Sequence, residues 1–189
     1  MDINLTASEQ RELLRLARQA IAKGCTLSTP PEVNLDGNPS ERFQQQLATF
    51  VTLQKQGELR GCVGSLKAYR PLVDDVIHNA FASAFRDHRF QPVVEKELAD
   101  ISIEISILSP MEKMAVNTEE ELLNTMVPEQ DGIWIQSSQY SATFLPQVWE
   151  QLPEPQQFLA HLKRKARLPD GLWPKDMECF RYGCYKVCE

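Results

Sequence analysis

Residues 46–64, QLATFVTLQKQGELRGCVG, carry the pattern that decides the fold class. Apolar and polar residues alternate over residues 46–56, which predicts a β-strand with one buried face. Gly57–Glu58 turns the chain back, and Leu59–Val63 is predicted as the second strand of a hairpin. Cys62 therefore lies near the end of a strand, where a rigid sheet can fix the geometry of a functional group.

Helical and extended segments alternate irregularly on both sides of this hairpin. Thr6 with Glu9, and Thr118 with Glu121, form capping-box patterns that open helices. We predict helices at about 7–23, 71–86, 118–126 and 155–168, a short helix after Pro146, and strands at 101–108, 133–135 and 178–187. This order favours an α+β fold, with a mixed β-sheet and flanking helices, over a doubly wound parallel sheet.

Two further segments are predicted from their composition and spacing: a strand at 101–108 and a long loop at 25–45. Residues 101–108, ISIEISIL, alternate isoleucine with polar residues and give the clearest strand signal in the chain. Residues 25–45 are rich in Pro, Asn, Asp and Gly, and are predicted as a long surface loop. A loop of this length inside a compact domain is often functional.

Composition narrows the class of function. The chain has 189 residues, a formal net charge of −6 and a pI near 5.2, which disfavours non-specific binding to nucleic acid or to anionic membranes. The first ten residues, MDINLTASEQ, have no apolar segment typical of a signal peptide. Five cysteines, an odd number, indicate reduced thiols, and we expect a cytoplasmic protein without a membrane span.

The run LRGCVG at 59–64 is the best candidate for a functional site. Gly61 and Gly64 on either side of Cys62 let the backbone bend and let another group approach closely. Arg60 lies two residues before Cys62, so on a regular strand both side chains share a face, and a guanidinium there favours the thiolate. The alternative is a small buried cysteine that packs in a tight hairpin.

The segment DHRF at 87–90 offers charged groups just after a predicted helix. Asp87 could orient Arg60 or Arg89, or act in proton transfer. Alternatively, Asp87 and Arg89 form an ion pair that only fixes the loop, with Phe90 as its apolar anchor.

Other clusters favour structural interpretations. The three histidines share no metal-ligand spacing, and His78 is predicted on a polar helix face with Asp74 and Asp75. The C-x4-C-x3-C spacing of Cys179, Cys184 and Cys188 does not match zinc or iron–sulfur motifs. The basic run HLKRKAR at 161–167 is typical of the C-terminal end of a solvated helix. No nucleotide or cofactor motif is present, so neither a metal nor a cofactor is predicted.

Several motifs, taken together, resemble one family. LRGCVG at 59–64, AFRDHRF at 84–90, EISILSP at 104–110, ATFLPQV at 142–148 and LKRKARLPDGLW at 162–173 follow one another as in AMMECR-type domains, the protein A of the AmmeMemoRadiSam system. The resemblance covers roughly residues 8–186 and implies a single domain, 1–189, of two unequal lobes with a cleft between them. One departure is Arg167, where the family usually has glycine, which weakens any role for a tight turn there.

The resemblance also implies a site and partners. Arg60, Gly61, Cys62 and Gly64 belong to the family's signature, with Asp87 and Arg89 nearby. It implies a genetic association with a Memo-type protein and with a radical S-adenosylmethionine enzyme, which are the expected partners.

Two functions of different classes follow. In the first, the chain is an enzyme in which Cys62 is the nucleophile, Arg60 and Arg89 hold an anionic small molecule, and Asp87 positions Arg89 or moves a proton. In the second, it is a non-catalytic scaffold or ligand carrier that docks with those two partners.

Overall fold

The computed structural model describes residues 3–32 and 40–189. Within them the helices are α1 (Ala7–Gly24), α2 (Leu72–Phe85), α3 (Glu119–Thr125) and α4 (Pro155–Lys165), with short 3₁₀ helices at Glu41–Gln44, Glu95–Asp100 and Pro146–Glu150. The strands are β1 (Thr49–Lys55), β2 (Glu58–Gly64), β3 (Ile101–Leu108), β4 (Glu112–Lys113), β5 (Gly132–Gln136), β6 (Ser141–Phe144), β7 (Glu178–Tyr182) and β8 (Cys184–Cys188). The chain divides into an N-terminal unit, up to Ser109 plus Tyr185–Glu189, and a C-terminal unit, Pro110–Cys184.

The N-terminal unit packs α1 and α2 against one face of a sheet with strand order β2-β1-β3-β8. The buried side chains of this sheet include Val51, Leu53, Ile103 and Ile105, and they form one core with the apolar stripes of the two helices. We call this the inner face, and the opposite one the outer face. The predicted capping box of α1 is confirmed, because Thr6 and Glu9 bond reciprocally.

A buried polar cluster anchors α2 to β1. The Asp75 carboxylate accepts hydrogen bonds from the backbone N–H and the hydroxyl of Thr49, both at 2.8 Å, and from Nδ2 of Asn79 at 2.9 Å. Asp75 is only 1% exposed, so its predicted place on a polar helix face is wrong. A carboxylate tolerates this burial because several donors, with Arg70 among them, satisfy it.

The C-terminal unit has its own sheet, with strand order β4-β7-β5-β6, and its own core. Trp149 stacks on Phe158 with ring centroids 3.8 Å apart, and both side chains are buried. The Trp149 indole N–H donates to the carbonyl of Asp131 at 2.8 Å, so the one polar atom of this ring is satisfied.

The predicted α+β class is confirmed, with a refinement of the sheet. The strands form two antiparallel sheets instead of one mixed sheet. The strand predicted at 178–187 is in fact β7 and β8, which are separated by Gly183 and belong to different sheets. Strand β6 overlaps the start of ATFLPQV, a stretch in which only the short helix after Pro146 was predicted.

The long segment predicted as a loop at 25–45 is described in part. Residues 33–39, which include the predicted Asp36–Gly37 turn, lie outside the described residues, and Glu41–Gln44 forms a 3₁₀ turn. Across the described part of the chain, none of the helices has the length and apolar character needed to cross a bilayer.

Arg167 occupies the turn that ends α4. Its φ of 59° lies in the left-handed region, and the N–H of Leu168 reaches back to the carbonyl of Lys163 at 3.0 Å. The N–H of Arg167 itself donates to Arg164 at 3.0 Å, which completes a Schellman motif. The tight turn therefore forms in this chain with arginine in place of glycine, at a conformational cost.

We predict that Arg167→Gly stabilises the protein by about 0.5–1 kcal/mol, because glycine adopts a positive φ without strain. Urea unfolding of the two proteins measures the change. Arg164→Gly, one turn earlier in the same helix, is the control and should destabilise by about 1 kcal/mol. Equal or lower stability of Arg167→Gly would contradict a strained helix end.

Candidate functional site

Cys62 lies on β2, at the edge of the N-terminal sheet. In the β1–β2 hairpin it stands opposite Thr52, and the Thr52 hydroxyl donates a hydrogen bond to the Cys62 sulfur at 3.3 Å. Because Thr52 alternates with the buried Val51 and Leu53, this pair lies on the outer face. The thiol is half-buried and free, so it combines a fixed orientation with partial access to solvent.

Asp87 and Arg89 hold the peptide groups of Cys62. The Cys62 N–H donates to Oδ2 of Asp87 at 2.9 Å, and Nη2 of Arg89 donates to the Cys62 carbonyl at 3.3 Å. The two side chains also pair with each other, through Arg89 Nε to Asp87 Oδ1 at 2.9 Å and Nη2 to Oδ2 at 2.7 Å. We call this arrangement the Asp87–Arg89 clamp. It satisfies the outward-facing polar groups of an edge strand.

The clamp determines what Asp87 can do chemically. The hydrogen bonds from Arg89, first of all, and from the Cys62 N–H hold the pKa of this carboxyl well below its usual range, although burial opposes the shift. An acid with so low a pKa stays ionised near neutral pH and is a weak proton acceptor. Of the two roles predicted for Asp87, the geometry therefore favours positioning over proton transfer, and its partner is Arg89.

The cation next to Cys62 is Arg89, whereas the sequence predicts Arg60 in that place. Its side chain is 57% exposed, and its pKa is raised by hydrogen bonding to Asp87 and, to a smaller extent, by charge on Cys62. Nη1 makes no hydrogen bond to any described residue. One edge of the guanidinium is thus open to an anionic group from solvent.

Arg60 faces away from Cys62, so the predicted shared face is wrong. The hairpin register shifts between Leu53 and Gln54, which pair with Gly61 and Leu59, so Arg60 is the extra residue of a β-bulge. Its guanidinium binds Glu97 at 3.0 Å, and Glu97 also accepts from Lys55 at 2.9 Å. Lys55 is three residues from Thr52 on β1 and hence on the opposite face. Arg60 therefore lies on the inner side with Glu97.

The two glycines of the run allow close packing, as the sequence predicts. A Cβ on Gly61 would lie 2.1 Å from the carbonyl oxygen of Ser83 in α2, and one on Gly64 would lie 2.3 Å from the Phe50 ring. The Ser83 hydroxyl bridges the strands, since it donates to the Val51 carbonyl at 2.7 Å and accepts from the Val63 N–H at 2.9 Å. Both glycines thus face protein atoms: Gly61 lets α2 approach the hairpin, and Gly64 leaves room for the Phe50 ring of β1.

Comparison with known proteins shows the family to which this chain belongs. A sequence model of the AMMECR1 family matches residues 14–187. The chain belongs to the AMMECR1 family. The membership expected from LRGCVG and its companion motifs is thereby confirmed.

Individual AMMECR1 relatives extend over the same length. A protein of Methanothermobacter thermautotrophicus is 32% identical over 180 residues, which cover 94% of this chain and 93% of the relative. A protein of Thermococcus onnurineus is 37% identical over 185 residues, which cover 90% and 85%. The crystal structure of an uncharacterized protein, PH0010 of Pyrococcus horikoshii, matches with a TM-score of 0.85 at 29% identity, covering 96% of this chain and 92% of that one. AMMECR1 membership therefore establishes the fold, while the function rests on the site.

Reasoning from the sequence missed several residues around the AMMECR1 signature. Thr52 stands opposite Cys62 only because the register shifts between Leu53 and Gln54, whereas a regular hairpin from the same turn would pair Cys62 with Val51, so the pattern alone could not find it. Glu97 and Ser83 carry no sequence signal, because their contacts with Arg60 and with the hairpin exist only after α2 and the Glu95–Asp100 turn pack on the sheet.

The C-terminal unit contains an open, polar cavity of about 690 Å³, between β4, the end of β5 and residues 175–178. Its charged groups are largely matched, since Lys113 pairs with Glu178 and the Asp176 carboxylate accepts from the backbone of Ser138. In the basic run of α4, Lys163 forms an ion pair with Glu119 at 2.6 Å. None of the described residues forms a cluster of metal-ligating side chains.

The Arg60–Glu97 pair generates a pH-dependent prediction. We expect Glu97→Gln to lower the free energy of unfolding by about 1–3 kcal/mol at neutral pH, because it removes charge-assisted hydrogen bonds to Arg60 and Lys55. Those bonds lower the pKa of Glu97 from 4.5 to about 2 in the folded protein. The ionised carboxylate therefore stabilises the fold above about pH 5, and this contribution is lost as the pH falls through about 2.

Urea unfolding of both proteins between pH 7 and pH 2 measures the effect, and the difference between them should shrink with acidification. Glu95→Gln, two residues away, is the matched control: the Glu95 side chain is exposed and makes no hydrogen bond or ion pair with any described residue. It should change stability by less than about 0.5 kcal/mol. A Glu97→Gln difference that is constant across this pH range would show that the charge of Glu97 is not involved.

Proposed function

We propose that Cys62 and Arg89 form a small-molecule site in which the thiol acts on, or binds, a ligand whose anionic group contacts the guanidinium. The observation that carries this proposal is the immobilised and half-exposed sulfur beside an open cation. Thr52 orients the sulfur at 3.3 Å, and the Asp87–Arg89 clamp fixes the backbone that bears it. A positioned thiol with a neighbouring guanidinium is the arrangement that thiol chemistry requires.

Each neighbour has a distinct part in this proposal. Arg89 holds the anionic group beside the thiol, from its position on the Cys62 carbonyl. Asp87 is a positioning residue, because both of its oxygens are bound by Arg89 and by the Cys62 N–H. Arg60, which the sequence suggested as the activating cation, supports the hairpin from the inner side through Glu97.

The other cysteines support the choice of Cys62. Burial raises the pKa of Cys179 to about 12, and burial also raises the pKa of Cys25 and of Cys188. The raised pKa values make these three thiols weaker nucleophiles at neutral pH than an ordinary cysteine. All five cysteines are free, which fits a reducing compartment, so we place this chemistry in the cytoplasm.

A non-catalytic role is the second candidate, and one observation favours it. Leu59, at the start of the signature run, is 44% exposed although it is apolar, which suits contact with another protein. We propose a Memo-type protein and a radical S-adenosylmethionine enzyme as the partners in either role. In the docking role, Cys62→Ala leaves the interaction intact and Leu59→Asp abolishes it.

Thiol labelling tests the enzymatic role. We expect iodoacetamide to modify Cys62 several-fold faster than each of the other four cysteines at about pH 7.5, because Cys62 alone combines partial exposure with the clamp and the Thr52 hydroxyl. Peptide-resolved mass spectrometry of briefly labelled native protein measures the five rates. Thr52→Val, which keeps the shape of the side chain and removes its hydroxyl, should change the Cys62 rate while the rates at Cys25 and Cys188 stay constant. Labelling of Cys62 at the same rate as the others, or more slowly, would remove the thiol from the function.

A further inference from the structure

The outer face of the N-terminal sheet carries an acid in line with Cys62. The strand registers place Cys62 opposite Thr52, and Thr52 opposite Glu104 on β3. Directly opposed residues on antiparallel strands project from the same face. Cys62, Thr52 and Glu104 therefore form a row across three strands, and the backbones of its two ends lie about 10 Å apart, which is two strand spacings.

The buried side chains of the inner face show that this row lies on the outer face. Ile103 and Ile105, the neighbours of Glu104, are buried in the core formed with α1 and α2. Because side chains alternate along a strand, Glu104 projects away from those helices. The sulfur of Cys62 and the carboxylate of Glu104 thus share the outer face with the hydroxyl of Thr52 between them.

Glu104 differs in its partners from the three acids of this unit that arginines bind on β1, β2 and α2 or next to them. Asp75, Asp87 and Glu97 are each bound by an arginine. Glu104 has no cationic partner among the described residues, and its one contact there is a long hydrogen bond at 3.7 Å from the thiol of Cys188 to Oε2. Oε1 accepts no hydrogen bond within the described chain. A half-buried carboxylate with free acceptor capacity suits contact with a cationic or hydrogen-bond-donating group.

The charges around Cys62 are therefore arranged as a dipole. Arg89 stands at the edge of the sheet, beside the backbone of Cys62, and Glu104 stands two strands further in. A ligand that lies over the sulfur meets a positive group at one end and a negative group at the other. A molecule with an anionic group and a cationic group complements both ends, whereas an ion of either sign complements only one.

We propose that Glu104 is the second ligand-contacting residue of the Cys62 site, and that the site takes small zwitterionic molecules. Their anionic group faces Arg89 and their cationic group faces Glu104. This inference rests on the proposed function and adds to it the substrate class, together with a residue from outside the signature run.

Charged thiol reagents test the inference on the full chain. Three methanethiosulfonates of similar size are used as probes: the cationic aminoethyl, the neutral methyl and the anionic sulfonatoethyl reagents. The rate at Cys62 is read by mass spectrometry of its peptide, and the cationic rate is divided by the neutral rate. We expect Glu104→Gln to lower this ratio about three- to fivefold, as one charge acting over 8–10 Å near a protein surface implies. We expect Arg89→Gln to lower the anionic-to-neutral ratio to a similar extent.

Two variants control for effects other than the charge of Glu104. Glu104→Asp keeps the carboxylate and should retain the cationic-to-neutral ratio within about twofold, which separates the charge from any disturbance of β3. Glu58→Gln removes one charge at the start of β2, four residues from Cys62, and should leave both ratios unchanged.

The experiment separates a failure of the Glu104 proposal from a failure of the proposed Cys62 site. If the neutral reagent labels Cys62 rapidly but Glu104→Gln leaves the cationic-to-neutral ratio unchanged, the role of Glu104 is refuted and the proposed thiol site stands. If the neutral reagent labels Cys62 no faster than the other cysteines, the proposed function is refuted, and this inference falls with it.

Discussion

The hold of Asp87 and Arg89 on the peptide of Cys62 is the interaction on which the rest of the site depends. An edge strand leaves alternate N–H and C=O groups without a neighbouring strand, and here a carboxylate and a guanidinium fill those positions. The two side chains do for Cys62 what a further strand would do. The sulfur consequently has one orientation, against Thr52, and an accessible cation at its side.

Close packing of α2 makes this contact possible. The clamp residues follow the C-terminal end of α2, so their reach to β2 depends on how near the helix approaches the hairpin. Gly61 removes the side chain that would collide with Ser83, and the Ser83 hydroxyl bridges Val51 of β1 and Val63 of β2. Gly61 of the signature run is therefore a packing position that brings the charged turn after α2 close to the cysteine.

Periodicity and capping patterns predicted most of the fold, because they are local. Helix α1 and strand β3 follow from their apolar spacing, and the hairpin follows from its turn. Local patterns predicted only part of the candidate site. The family resemblance placed Asp87 and Arg89 near Cys62, but strand alternation placed Arg60 on the wrong face. The β-bulge that turns Arg60 towards Glu97 depends on a contact 37 residues away, which no local pattern reports. Glu104 is a second case of the same kind, since its register with Thr52 is fixed only once β1 and β3 pair.

Amide hydrogen exchange at Cys62, followed by NMR, tests the central claim most directly, because the clamp makes a protected amide out of an edge-strand N–H. We expect slow exchange of this N–H in the native protein and exchange at least about tenfold faster in Asp87→Ala, since a hydrogen bond to a charged group is worth about 1.5–3 kcal/mol. The amides of β3 should be unaffected in that variant. Rapid exchange at Cys62 in the native protein, or a rate that Asp87→Ala leaves unchanged, would contradict it.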